Sequence, residues 1–236
     1  MSKPAFIGIA IVLVLLTALG TWAWSHQRPP DPTRWPVTRA SLLRAAVLIP
    51  AGEHTVGSRE PGCYPPRRTT LPAFRIWPVE FPQAWRDQLE GRAPTSTPRR
   101  AAAYVSHAEA EALCAALGRH TGLAIRLPTA DEWQAAARAG TPGVPYPWGW
   151  NAPDGRAAFD LPHARDIASY PPNPAGLHDL AGNLAEWCHA DPASPTAPAL
   201  GGSWAERSPS LLRISHRMEL PRTYRDADVG FRFVIE

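Results

Sequence analysis

Cysteine and histidine are the residue types most able to do chemistry in this 236-residue chain, so their spacing is the first constraint. Cys63, Cys114 and Cys188 are odd in number and fit no C-x-x-C pattern, which argues against a zinc site. Cys114 lies in an alanine-rich helical pattern, where a buried free thiol is expected. A Cys63–Cys188 disulfide would suit an oxidising compartment, but spacing alone does not decide the pairing. The eight histidines are dispersed without an H-x-H or H-x-x-x-H pair, so a metal would need His178, His189 and His216 to converge from separate segments. Net charge is +3, nearly all of the positive charge is arginine, and no basic stripe is interleaved with aromatics. Nucleic acid is therefore not an expected partner.

The elements that must position these groups are sparse. Two capping boxes mark helices: Ser106-His107-Ala108-Glu109 and Thr129-Ala130-Asp131-Glu132. The first helix carries Ala110, Leu113, Cys114 and Leu117 on one face and ends near Gly118 or Gly122. The second turns Trp133, Ala136 and Ala137 inward and stops at Gly140. Before them, Ser41 to Ala46 predicts a short helical turn. Val47-Leu48-Ile49 leading into Gly52 to Ser58 predicts strand–turn–strand, Leu71 to Trp77 a further strand, and Phe81 to Leu89 a helix. From Thr141 onward there is little periodicity. With 28 prolines and 10 tryptophans, the composition predicts a loop-rich domain pinned by buried aromatics.

The N-terminus is of another kind. After a short tail at residues 1–4, residues 5–24 form an uncharged run, and roughly 20 apolar residues span a hydrocarbon core. Lys3 and Arg28 flank it, and Trp22 and Trp24 suit the headgroup interface. A cleaved signal peptide ending at Ala18-Leu19-Gly20 is the competing reading; apolarity continuing past that site favours an uncleaved anchor. Residues 25–44 form a proline-rich spacer, and residues 45–236 a single domain. Either reading places that domain in the periplasm or extracellular space, tethered as a single-pass membrane protein if the anchor is kept.

Several segments, in order, resemble the formylglycine-generating enzyme (sulfatase-modifying factor) family. They are Ile49-Pro50-Ala51-Gly52 with Gly57-Ser58; Arg126-Leu127-Pro128-Thr129-Ala130-Asp131-Glu132-Trp133; Tyr146-Pro147-Trp148-Gly149; Gly176-Leu177-His178-Asp179-Leu180-Ala181-Gly182-Asn183-Leu184-Ala185-Glu186-Trp187; Gly201-Gly202-Ser203-Trp204; and Gly230-Phe231-Arg232-Phe233. Val79 to Trp85 matches a further family segment loosely. The resemblance implies an α+β fold related to C-type lectins, with little regular secondary structure. It also implies a calcium site at Asp179, Gly182, Leu184 and Glu186, the glycine and leucine through backbone carbonyls; oxygen donors on a tight loop suit Ca²⁺. The alternative is that Asp179 and Glu186 pair with arginines or cap turns.

Copper-dependent members of this family carry two cysteines shortly after GGS. Here Glu206 stands near the first position and Leu211 near the second, and no cysteine follows Cys188. Paired soft thiolates are what Cu(I) needs, so neither copper nor formylglycine synthesis is expected. The resemblance also places Arg213, Arg217 and Arg232, with Trp204 and Glu206, on the surface where relatives hold substrate. They read either as a structural guanidinium–carboxylate network or as a groove for an extended peptide. Two functions follow: a non-catalytic accessory or assembly subunit of a membrane or envelope protein complex, or a metal-dependent modifying oxidoreductase with a non-cysteine site.

Overall fold

The computed structural model describes residues 37–93 and 99–236. The expected anchor at 5–24 lies outside the described residues. Among those that are described, no helix is long and apolar enough to cross a membrane.

Helix α1 (Arg39–Ala45) opens the described chain, started by a Thr38–Ser41 capping box. Its Leu42 is fully buried in the main core, although the sequence places this residue in the spacer. Strands β1 (Val47–Ile49) and β2 (Gly52–Val56) follow as expected. The single strand expected over Leu71–Trp77 is two: β3 (Arg67–Leu71) pairs with β2, and β4 (Phe74–Ile76) pairs with β1. Pro72 separates them, having no N–H to give to a ladder. Helix α2 (Gln83–Leu89) is shorter than the sequence suggests.

Both remaining capping boxes form. Helix α3 (His107–Thr121) starts at Ser106 and stops at Gly122, whose left-handed conformation closes the last turn. Helix α4 (Ala130–Arg138) starts at Thr129 and ends through Ala139, also left-handed. Between them lies β5 (Ile125–Arg126).

The C-terminal half adds short strands that periodicity did not reveal: β6 (Ala185–Trp187), β7 (Thr196–Leu200), β8 (Met218–Pro221), β9 (Val229–Gly230) and β10 (Val234–Ile235), with a 3₁₀ turn at Pro209–Leu212. One four-stranded sheet has the order β1-β4-β10-β5, a second β8-β7-β6-β9, and β2-β3 form a hairpin. The main core is aromatic. Trp77 stacks on Phe233 at 5.3 Å and Phe81 on Phe231 at 4.6 Å between ring centres. Trp187 donates its indole N–H to the carbonyl of Val105. This is the loop-rich, tryptophan-pinned domain that the composition implies, with the mixed helix and sheet that the resemblance implies.

Candidate functional site

Two of the sequence motifs meet at one place. The amide of Gly182 donates to the carbonyl of Gly201, and that of Trp204 to Asn183, which ties the GGSW turn to the loop ahead of β6. The approach is close enough to demand glycine. Gly182 has φ +75°, and a Cβ there would sit 2.1 Å from the carbonyl oxygen of Ala158. Asp179 and Asn183 flank it at φ 54° and 60°, the left-handed region that Asp and Asn tolerate best.

Beneath this junction lies a buried charge network. The Glu186 carboxylate receives Arg232 Nε and Nη2, each at 2.6 Å, and Trp133 Nε1 at 2.7 Å. Glu80, also fully buried, accepts from the Asn183 side chain at 2.8 Å and the Leu184 amide at 3.1 Å. Asp179 accepts from the Ala168 amide at 2.6 Å. Burial pushes Asp179 up to about 7 and Glu80 well above the carboxylate range, with the neighbouring acids adding to the shift. Glu80 is the member that sequence reading missed. Its only signal was the loosely matching Val79–Trp85 segment.

The donors expected to hold calcium are thus partly spent, because Glu186 serves Arg232. On charge the site still suits a cation, since three buried carboxylates share one guanidinium. On donors, Asp179 is the carboxylate left, with the Gly182 and Leu184 carbonyls. Among the described residues no three His, Cys, Asp or Glu side chains could hold a metal, so backbone oxygens would have to complete the set. His178, His189 and His216 do not assemble: His178 bonds the Tyr170 carbonyl, His189 is exposed, and His216 sits across a β-bridge from Cys63. All three thiols are free and raised by burial, and therefore protonated and poorly nucleophilic at neutral pH.

Of the five residues expected to line a binding surface, Arg232 does not: it is fully buried on Glu186, and the other four fall into two neighbourhoods. Trp204 bonds the Ala227 carbonyl, and Glu206 is raised by burial and by Asp228, itself bonded by the Tyr224 hydroxyl. Trp204, Glu206, Tyr224 and Asp228 therefore belong to an acidic, aromatic neighbourhood. Arg213 instead pairs with Glu60 at 2.7 Å, and Arg217 lies over the Tyr64 ring at 5.3 Å while bonding Glu219. Arg213 also lines a cavity of about 420 Å³ together with Ser58, Val144, Tyr146, Trp150 and Ser215.

The fold and the motif geometry define a domain of one class, and comparison places it. The fold is similar to Treponema denticola variable protein 1, with a TM-score of 0.72 over 80% of this chain and 94% of that one at 22% identity. Residues 80–236 match the family model of the sulfatase-modifying factor enzyme 1-like domain, and the chain belongs to that family. It is 36% identical over 126 residues to the serine/threonine-protein kinase pkn1 of Chlamydia pneumoniae, covering 45% of this chain and 20% of that protein. It is 35% identical over 150 residues to the inactive C-alpha-formylglycine-generating enzyme 2 of Mus musculus, covering 55% and 47%. The chain thus spans between a fifth and about half of these relatives.

Proposed function

We propose that this domain is a non-catalytic binding module, held at a membrane and serving as an accessory or assembly subunit of an envelope protein complex. The observation that carries this reading is the replacement of the thiol pair. By the spacing of the motifs Glu206 falls near the first position and Leu211 near the second, and no cysteine follows Cys188. Neither side chain can take up Cu(I) as a thiolate does. The inactive mammalian relative supports the same reading, since it pairs this domain with a name that denies the activity.

The binding face is the surface around the GGSW turn, with Trp204 and Glu206 on one side and Arg213 and Arg217 on the other. Calcium belongs to this reading as a structural ion on Asp179 and the Gly182 and Leu184 carbonyls, where its charge would offset Glu80. The experiment is detergent extraction of the full chain, capture through it, and metal analysis of the same sample. A stoichiometric partner that is lost with Trp204→Ala, with calcium as the retained metal, supports the reading. Stoichiometric copper or iron together with turnover overturns it.

A further inference from the structure

The cavity beside Arg213 has a polarity that its own residues do not satisfy. The Nε of Arg213 is buried and meets no acceptor. Ser215, which is also buried, accepts Arg138 Nη2 at 2.9 Å, and its own proton has no acceptor among the described residues. Ser58, half-exposed, accepts from the Glu60 amide at 3.2 Å and has its hydroxyl proton free for a ligand. Two buried donors without acceptors and the half-exposed Ser58 hydroxyl therefore border one space. Behind Ser215, Arg138 is 4% exposed and has no carboxylate partner among the described residues. It is held by the Thr55 and Gly57 carbonyls and by Ser215. Its positive charge polarises the Ser215 hydroxyl toward the cavity.

Donors without acceptors, with a guanidinium behind them, select an anion or a strong acceptor. The remaining walls select what the anion is attached to. Val144, Pro145 and Tyr146 are apolar, and Trp150 at the rim is 75% exposed, the most exposed large hydrophobic side chain among the described residues. Glu60 already takes one edge of Arg213, so a single negative charge fits this space better than a phosphate dianion.

We infer that this cavity binds a carboxylate borne on an apolar or aromatic group, with Arg213, Ser215 and Ser58 holding the carboxylate and Trp150 covering the apolar body. The inference rests on the binding reading above and names the ligand chemistry of its Arg213 side. Such a group exists both as a free aromatic acid and as the last residue of a polypeptide.

Titration of the full chain by calorimetry tests it, with N-acetyl-tryptophan, its amide, and N-acetyl-Ala-Ala-Trp as a free acid. The acid binds, and the amide binds about tenfold more weakly or less. Trp150→Ala and Ser215→Ala each weaken the acid by about tenfold, while Glu60→Gln strengthens it by removing the competing charge. Tripeptide binding much tighter than the single residue assigns the site to a chain terminus; equal binding assigns it to a free acid. Equal binding of acid and amide overturns the inference, as does acid binding that is unchanged in both weakening variants. No binding of any probe while the membrane partner is still captured overturns this inference alone and leaves the binding module standing.

Discussion

Arg232 and Arg138 are both guanidiniums sealed beneath loops, and their charge is met in opposite ways. Arg232 is fully buried and grips Glu186 with two nitrogens at 2.6 Å, with Trp133 on the same carboxylate. Arg138 is nearly as buried but meets only two carbonyls and a hydroxyl. For the arginine itself the first arrangement is closed, because an internal carboxylate meets its charge. The second leaves part of its field directed at a cavity. Within one domain, the same residue type serves as an internal tie where a carboxylate opposes it and as a source of ligand polarity where none does.

The contrast is breakable, first through stability. Glu186→Ala strands a buried cation, and chemical unfolding should register a loss of about 3–5 kcal/mol. Changing both partners to leucine and methionine should recover much of it, because neither is then left unpaired. Arg138→Met removes three hydrogen bonds but orphans no carboxylate, so the same measurement should show about 1–3 kcal/mol. Losses of equal size would mean that the two arginines are alike and the contrast is false.

A buried base sharpens the comparison from another direction. His107 is packed against Trp187 and held neutral, its pKa lowered by burial although Glu111 pulls the other way. Its folded value lies below the usual value of about 6.5. Stability is therefore complete above about pH 6.5 and is lost as pH falls from there toward the folded value. His107→Gln should flatten this part of the stability profile. The smallest effect belongs to Trp150→Ala, which should change stability by less than about 0.5 kcal/mol because the ring faces solvent. A larger loss would make Trp150 a packing residue and remove the rim from the ligand argument.

What the sequence made legible was local. Ser106 with Glu109 and Thr129 with Glu132 are three residues apart, and both boxes form where expected. The Pro72 break shows how one ring overrides an alternating pattern. Strands of two or three residues, such as β9 and β10, carry no period that could be read. The site follows the same rule. The motif around Asp179 and Glu186 was visible because its residues are contiguous. Glu80 and Asn183 are 103 positions apart and Arg138 and Ser215 are 77 apart, so a single sequence gave no sign of either contact. The split between Trp204 and Arg213 was hidden for a related reason: the chain turns tightly through Pro209–Leu212, and residues close in sequence on either side of it take different partners.

Strand β10 has a further consequence, for synthesis rather than for binding. It lies between β4 and β5 and pairs antiparallel with both. The first sheet therefore cannot close until Val234 and Ile235 have been made, by which time β4 has waited through some 160 residues of chain. Pairing so remote in sequence slows folding, and until it happens two strand edges stay open to neighbouring chains. A product stopped shortly before Val234 would keep nearly all its side chains yet lack the strand that joins the sheet, and it should aggregate rather than fold with reduced stability.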